Sequence, residues 1–224
     1  EFASSFSMRG LVIEENKLTG DPLATFDGMK NLFWLYADRN GFTGAIGDTF
    51  LRSRENLTHL DLSDNNFTLQ DDKELPVHLL KMPKLETLDL SRNLLEGSIP
   101  NDIGEVPLKF LSLHNNKLKG MLPGEMERLG RLTHLDLSNN GLSGPIPDEL
   151  GNMTKLEYLF LAVNPGFVEG PVPASFERLV QLSDFSVRDT NRTGPLPAWI
   201  PSLPNLVYLD LGSNGFVGPI SDEY

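Results

Sequence analysis

The sequence contains no cysteine among its 224 residues, and this absence excludes two kinds of structural element. Without thiols, the chain forms no disulfide bonds and offers no thiolate ligands to zinc or iron–sulfur clusters. The absence does not identify the cellular compartment, because secreted proteins need not contain cysteine.

Long apolar segments are also missing from the sequence. No run of about 20 apolar residues is present to span a lipid bilayer. The chain begins Glu1-Phe2 without a charged-then-apolar leader, so any leader would already have been removed. We therefore expect no direct insertion of this segment into a membrane.

Positive charge is scarce, with 19 Lys+Arg against 31 Asp+Glu and a formal net charge of −12. An overall negative field repels nucleic acid and anionic membrane surfaces. We therefore expect no nucleic-acid partner. The 20 glycines and 16 prolines indicate many regularly placed turns.

What the sequence has in abundance is one repeated frame, L-x-x-L-x-L-x-x-N-x-L-x-G, which recurs along the whole chain. The asparagine slot of the frame has successive spacings of 24, 25, 28, 23, 24, 24, 26 and 24 residues. This spacing indicates a single domain over residues 1–224 built of about nine repeats. The slot falls at Asn16, Asn40, Asn65, Asn93, Asn116, Asn140, Asn164, Thr190 and Asn214.

The apolar positions of the frame predict how the repeats stack. A short strand alternates in and out, so Leu60 and Leu62 are expected to point inward while Asp61 lies on the outer sheet face. One unit cannot bury its apolar side alone, but stacked units pair their strands into a parallel sheet. Residues of the returning segment, such as Ile146 and Leu150, cover that sheet from behind.

Two further elements of the frame have physical roles. The slot asparagine turns inward after the strand, where its amide needs hydrogen-bond partners, and we predict an asparagine ladder through the interior. The following G-x-I/L/V-P stretch combines a glycine for a tight turn with a proline that lacks an N–H donor. It favours an extended or 3₁₀ return over a long helix. The stretch occurs at 97–100, 144–147, 170–173 and 194–197.

The extended frame L-x-x-L-x-L-x-x-N-x-L-x-G-x-I-P resembles the plant-specific class of leucine-rich repeats, and the resemblance covers essentially the whole chain. The expected fold is therefore α/β: a right-handed leucine-rich-repeat solenoid with a concave parallel β-sheet and a 3₁₀ or irregular convex side. The class occurs in extracellular domains of receptor kinases, receptor-like proteins and polygalacturonase-inhibiting proteins. The resemblance thus implies a binding role in an extracellular or cell-surface location.

The sequence departs from this class at its ends and in three repeats. Paired capping cysteines are missing and both ends look open, so we expect a segment of a longer protein or a lineage that caps differently. The acidic stretch 69–76 predicts a short helix and a convex bulge, and the long segment 164–170 predicts a protruding loop. Thr190 in the asparagine slot and Arg192 in a leucine slot predict a locally weakened ladder.

Aromatic residues are frequent at the outward sheet positions, and we expect them to form two clusters. Such amphipathic rings are enriched at binding hot spots. The alternative is stacking between neighbouring strands without a binding role. The predicted ligand-binding residues are Trp34 and Tyr36 in one cluster, and Phe110, His134, Tyr158 and Phe160 in the other.

Reactive side chains on the same face do not indicate an active site. His59 and His134 lie three strands apart, on the order of 14 Å, which is too far to share a metal ion. Ser112, His134 and Asp136 mimic a hydrolase constellation but lack a nucleophile elbow. We expect no enzyme activity, no metal and no cofactor. An aspartate column, interpreted as a solvated acidic face, comprises Asp61, Asp89, Asp136 and Asp210.

Four N-x-S/T sequons begin at Asn56, Asn66, Asn152 and Asn191. All four fall at expected strand flanks or turns, where attached glycans project into water. We predict these asparagines as glycosylation sites, which favours secretion.

The sequence leaves several functions open. The leading hypothesis is an extracellular or cell-surface module that binds a protein, peptide or polysaccharide through the concave face. A second is a structural adhesion or matrix protein that associates with other subunits through the solenoid ends. A third is an inhibitor of a cell-wall-degrading enzyme. A carbohydrate-active enzyme rests only on the concave carboxylates and aromatics.

Overall fold

A computed structural model describes residues 7–47, 50, 55–72, 74–76, 78–222 and 224. Its main feature is a nine-stranded sheet in which neighbouring strands are parallel and each repeat contributes one strand. This arrangement confirms the predicted solenoid and its register of nine repeats. The strands are β1 (Gly10–Val12), β3 (Trp34–Tyr36), β5 (His59–Asp61), β7 (Thr87–Asp89), β9 (Phe110–Ser112), β11 (His134–Asp136), β13 (Tyr158–Phe160), β15 (Asp184–Ser186) and β17 (Tyr208–Asp210).

Shorter parallel sheets lie beside the main sheet, because each repeat pairs a second strand with its neighbour. These lateral strands are β2 (Thr19–Gly20), β4 (Gly41–Ile46) and β6 (Asn66–Leu69) in one sheet, β8 (Glu96–Gly97), β10 (Lys117–Met121), β12 (Gly141–Gly144) and β14 (Gly166–Phe167) in the next, and β16 (Thr193–Gly194) with β18 (Gly215–Phe216) in the last.

The segments that return on the convex side are short helices. The first contains α1 (Leu23–Gly28), and later ones contain 3₁₀ turns, as the glycine–proline stretches predict. Within the described ranges, no helix is both long and apolar enough to pass through a lipid bilayer. The 3₁₀ turns are Gln70–Asp72, Leu79–Lys81, Asn101–Glu105, Gly124–Arg128, Asp148–Asn152, Ala174–Arg178 and Ile200–Ser202.

The inward leucines form one continuous core that runs through the stacked repeats. Leu60 and Leu62 are fully buried, and Ile146 and Leu150 of a return segment are buried behind the sheet, as predicted. Each such side chain stabilises the fold by about 1.5–3 kcal/mol through burial. Because the burying surface belongs to the neighbouring repeats, the core depends on stacking rather than on any single unit.

The slot asparagines form the predicted ladder, of which Asn140 is a typical member. Its Nδ2 donates to the Leu137 carbonyl of its own repeat at 3.1 Å and to the Leu113 carbonyl of the preceding repeat at 3.0 Å. Its Oδ1 accepts the Leu118 backbone N–H at 2.9 Å. One amide therefore joins two repeats. The same pattern recurs at Asn40, Asn65, Asn93, Asn116, Asn164 and Asn214.

The residue before each slot position takes a left-handed backbone conformation, with φ between 51° and 55°. In non-glycine residues this conformation costs roughly 1–2 kcal/mol. It persists because it turns the slot side chain inward, where the ladder bonds offset the strain. The residues are Glu15, Arg39, Asp64, Arg92, Asn115, Asn139, Val163, Asp189 and Ser213.

The ladder changes at the eighth repeat, as expected from Thr190. The Thr190 hydroxyl donates to the Val187 carbonyl of its own repeat at 2.5 Å. The buried guanidinium of Arg192 supplies further donors, to the Thr190 carbonyl at 2.9 Å, the Pro171 carbonyl at 3.2 Å and the Val168 carbonyl. Burial lowers the pKa of Arg192. The arginine thus joins the eighth repeat to Val168 of the long segment 164–170 and to Pro171 just after it.

The other irregular segments agree with expectation in part. Val168 in the long segment is 56% exposed, consistent with the predicted protrusion. The acidic stretch contains a 3₁₀ turn at Gln70–Asp72, but Asp71 inside it has a left-handed φ of 58°, so no regular helix forms. Lys73 of that stretch lies outside the described residues.

Replacing Asn140 with alanine tests the ladder. We expect Asn140→Ala to lower the free energy of unfolding by about 1–3 kcal/mol, because buried carbonyls and an amide N–H lose their partner. Asn16→Ala is the matched control, since Asn16 occupies the same slot but is exposed and donates to carbonyls of its own repeat. Urea unfolding followed by circular dichroism measures both, and equal losses would contradict the ladder's role.

Candidate functional site

The outward side chains of the main sheet form two rows in the predicted register. Adjacent members of a row lie about 4.8 Å apart along the solenoid, the spacing of paired strands. The first row is Gly10, Trp34, His59, Thr87, Phe110, His134, Tyr158, Asp184 and Tyr208. The second row is Val12, Tyr36, Asp61, Asp89, Ser112, Asp136, Phe160, Ser186 and Asp210.

Four of the predicted site residues come together in one group, which we call the aromatic cluster: Phe110, His134, Tyr158 and Phe160. The His134 ring stacks on Phe110 with centroids 4.5 Å apart, and it lies 5.0 Å from Tyr158. Phe160 meets the same imidazole edge-on at 6.2 Å. His134 is therefore the centre of a ring surface that covers three neighbouring strands.

The second predicted cluster does not form, although both of its residues lie on the sheet face. Trp34 turns its indole over Gly10 of the preceding strand, where the missing side chain leaves room. Tyr36 lies instead near His59, with ring centroids 6.4 Å apart. The prediction that Trp34 and Tyr36 form one cluster was wrong, because Trp34 reaches along the first row to Gly10, whereas Tyr36 of the second row reaches across to His59. Trp34 remains 41% exposed.

The geometry of the aromatic cluster bears on the two interpretations of these rings. Contacts between strands are present, so part of each ring surface serves packing within the sheet. Tyr158 nevertheless keeps 36% of its surface exposed. Burial lowers the pKa of His134 despite nearby Asp136 and Asp184, which favours an uncharged imidazole. The cluster therefore offers an amphipathic, largely uncharged surface, and its binding role stays a prediction.

The aspartate column has a structural role that the sequence interpretation missed. In each case Oδ1 accepts the backbone N–H two residues later, at 2.9 Å, and closes the turn after the strand. Such a turn explains why aspartate recurs at this slot. The four pairs are Asp61 with Ser63, Asp89 with Ser91, Asp136 with Ser138, and Asp210 with Gly212.

The same bonds bear on catalysis and metal binding. Asp136 is engaged with Ser138, His134 is stacked between rings, and Ser112 is buried, so the hydrolase-like arrangement is not assembled. In the part of the chain that the structure describes, no group of three or more His, Asp or Glu side chains has a geometry that could hold a metal ion.

Sequence reasoning overlooked one functional candidate, Asp38. In its repeat Tyr36 takes the aspartate slot, and Asp38 takes the position that serine occupies in Ser63 and Ser91. The Asp38 side chain is only 7% exposed, and no donor from the described residues reaches its Oδ1. Burial, followed by the nearby charge of Asp61, raises its pKa from 3.8 to about 6. Aligning the repeats by their strand register would have identified Asp38, because it stands at a position where other repeats have serine.

The predicted glycosylation sites lie away from the outward rows. Asn66 begins β6, Asn152 ends a 3₁₀ turn on the convex side, and Asn191 precedes β16; all three are exposed. Asn56 is half-buried in the turn before β5, where its Oδ1 accepts the Lys84 ammonium at 2.8 Å. The sheet face would stay uncovered if these sites carried glycans.

Both family models and individual proteins match this chain in sequence. Leucine-rich-repeat models match residues 106–165, and residues 56–79 and 84–106. Receptor-like protein 39 of Arabidopsis thaliana is 36% identical over 126 residues, which are 54% of this chain and 14% of that protein. The chain therefore spans only a small part of the length of this curated relative.

Solved plant receptor ectodomains have the same fold. The Arabidopsis receptor kinase HAESA, solved with the peptide hormone IDA and the co-receptor SERK1, matches with a TM-score of 0.89 and 29% identity over 98% of this chain and 36% of that chain. The leucine-rich-repeat ectodomain of the receptor kinase SOBIR1 from Arabidopsis thaliana is 32% identical with a TM-score of 0.50, over 56% of this chain and 67% of that chain.

Replacing Asp38 with asparagine tests whether a charged carboxylate is buried at this position. Its raised pKa means that the folded state binds more protons than the unfolded state between about pH 4 and 6, so stability falls as pH rises through this window. Asp38→Asn should therefore raise the free energy of unfolding at pH 7.5 by about 1–3 kcal/mol and have less effect at pH 4. Thermal unfolding at both pH values, with exposed Glu149→Gln as the control for net charge, measures this. An effect independent of pH would contradict it.

Proposed function

The chain belongs to the leucine-rich-repeat family, and from this premise we propose that it is the ligand-binding module of an extracellular or cell-surface receptor-like protein. In this proposal a peptide, or an extended segment of a protein, lies along the outward rows of the main sheet. The aromatic cluster anchors it. The observation that carries the proposal is the contiguous ring surface centred on His134.

The dimensions of the sheet face suit an extended peptide. Nine strands at about 4.8 Å give a surface roughly 40 Å long, and a peptide rising about 3.3 Å per residue would need about 12 residues to span it. An extended sheet face built of parallel strands from nine repeats favours contact over a long stretch of ligand rather than chemistry on a small substrate. This supports a binding role and argues against catalysis.

The relatives support the ligand class. The HAESA ectodomain was solved with a peptide hormone, and its repeats align with nearly the whole of this chain. Rings such as Tyr158 bury large areas at low conformational cost, so they suit anchoring a flexible peptide. The exposed sequons at Asn66, Asn152 and Asn191 favour a location outside the cell.

A wall polysaccharide is the second candidate ligand. The observation that favours it is the partial exposure of the rings of Trp34 and Tyr158, because the apolar faces of sugar rings stack on aromatic rings. The carboxylates on the same sheet face would accept hydrogen bonds from the hydroxyl groups of a neutral glycan, but only a cationic ligand such as a basic peptide would also form ion pairs with them.

Simultaneous removal of two anchoring rings tests the peptide proposal. Peptides selected from a random display library on the wild-type chain should bind Tyr158→Ala/Phe160→Ala about 30-fold more weakly, since hot-spot rings contribute about 2 kcal/mol or more. Tyr208→Ala is the matched control, because Tyr208 lies in the same outward row but outside the aromatic cluster. Surface plasmon resonance measures affinity.

Several outcomes would count against this proposal. Undiminished binding by the double variant, with an unchanged far-ultraviolet spectrum, would place the ligand elsewhere. A library that yields no binders, together with retention on a glycan array, would favour the polysaccharide instead.

Expression through a eukaryotic secretory pathway tests the predicted glycosylation. We expect glycans at Asn66, Asn152 and Asn191, which are exposed, and lower occupancy at the half-buried Asn56. Intact mass before and after enzymatic deglycosylation, with peptide mapping, measures occupancy at each site. Unmodified asparagines at all four sites would argue against the predicted secretory route.

A further inference from the structure

A buried carboxylate with one unsatisfied oxygen lies in the amino-terminal half of the sheet face. No donor from the described residues reaches Asp38 Oδ1, whereas its Oδ2 forms an ion pair with the Arg39 Nε at 3.7 Å. Buried polar groups in folded proteins nearly always have partners, and leaving one unsatisfied is costly. An exception of this kind calls for a physical explanation.

Asp38 belongs to a group of carboxylates from four consecutive repeats, which we call the acidic cluster: Glu14, Asp38, Asp61 and Asp89. Asp61 and Asp89 are direct register partners on β5 and β7. Burial raises the pKa of Asp38, and the negative charges of Asp61, Glu14 and Asp89 raise it further. Burial and Asp61 likewise raise the pKa of Asp89.

The donors near the acidic cluster are already committed. The Ser63 hydroxyl and backbone N–H both bind Asp61, and Ser91 binds Asp89 through its backbone N–H. Those bonds hold one oxygen of each aspartate. They leave the negative charge of the cluster in place, because a neutral donor does not cancel it.

The positive groups around the acidic cluster do not balance it. Arg39 is shared between Glu15 on the exposed edge of the ladder turn and Asp38, whose Oδ2 it approaches at 3.7 Å, so this one cation faces several carboxylates. His59 packs beside Tyr36, and His114 lies near Asp89, where its charge lowers the pKa of that carboxyl. The amino-terminal half of the sheet face is therefore an anionic surface above a buried charge, and low local dielectric strengthens its attraction for cations.

The chemistry of the cation follows from geometry. In the described ranges no group of carboxylates is arranged to hold a metal ion, whereas Asp61 and Asp89 lie side by side at strand spacing. A planar guanidinium with several N–H donors suits adjacent carboxylates better than a point charge does. We propose that the acidic cluster binds an arginine side chain of the ligand, with Asp61 and Asp89 as direct contacts and Asp38 as the buried charge beneath.

This inference rests on the proposed function, and it also fixes a spacing in the ligand. From β5, at the middle of the acidic cluster, to β11, at the middle of the aromatic cluster, there are three strand spacings, or about 14 Å. An extended peptide rises about 3.3 Å per residue, so the two anchors lie about four residues apart. The ligand is therefore a peptide with an arginine about four residues from an aromatic or aliphatic side chain.

Peptide selection on matched variants tests the inference. The test variant is Asp38→Asn/Asp61→Asn/Asp89→Asn, in which asparagine keeps the Oδ1 acceptor of each turn and removes the charge. The control is Glu105→Gln/Glu149→Gln/Glu177→Gln, which removes three exposed charges from the convex 3₁₀ segments. Random peptides are selected on wild type and both variants, and the selected sequences and their affinities are compared.

We expect arginine at a fixed distance of about four residues from an apolar residue among peptides selected on wild type and on the control. On the test variant this arginine enrichment should disappear while the apolar enrichment persists, and wild-type binders should lose about tenfold or more in affinity. If the triple variant fails to fold, Asp38→Asn alone serves as the second variant. We expect it to weaken the affinity of wild-type binders less than the triple variant does, but in the same direction.

The outcomes separate the two proposals. Selected peptides that depend on Tyr158 and Phe160 but show no arginine enrichment would overturn the acidic-cluster inference and leave the proposed function intact. Absence of any peptide binding would overturn both. Calcium binding to wild type that is lost in the test variant, measured by calorimetry, would identify a metal site and also overturn the inference.

Discussion

The hydrogen bonds of the slot asparagines are the interaction on which the rest of this molecule depends. Each amide binds carbonyls of its own repeat and of the one before, so no repeat is complete without its neighbour. The left-handed residue ahead of each slot is strained, and both the slot side chain and its own backbone N–H bond to the next repeat hold it there. Leucine burial supplies most of the stabilising free energy, but the ladder decides how one repeat is placed on the next, because hydrogen bonds are directional and apolar contacts are not.

Because each repeat is held in a fixed position on the next, the side chains of the sheet face form regular rows. Since each repeat adds one strand in constant register, a slot in the frame becomes a row of side chains at regular spacing. Neighbours along a row can therefore stack, as the rings around His134 do, or repel, as Asp61 and Asp89 do. The acidic cluster and the aromatic cluster therefore lie on different strands of one face, although every repeat obeys the same frame.

The repeats differ from one another where their residues depart from the frame. Tyr36 in the aspartate slot and Asp38 in the following serine position place a carboxylate where it is buried, with one oxygen that no donor from the described residues reaches. At the eighth repeat, Thr190 has a hydroxyl where other repeats have an amide, and Arg192 donates to the Thr190, Pro171 and Val168 carbonyls. The first change alters the outward face and the second alters the interior, and both leave the stacking of strands intact.

The sequence by itself determined the fold class, the number and register of the repeats, the ladder and the membership of the outward rows. These follow from period and alternation, which are local properties repeated many times. The tertiary structure alone decided which rings meet, because a ring such as Trp34 or Tyr36 reaches to whichever neighbour leaves space, Gly10 in one case and His59 in the other. It also decided that the column aspartates close turns and that Asp38 is buried without a donor. Contact and burial depend on the shapes of neighbouring repeats, and a frame that records only residue types at intervals contains no such information.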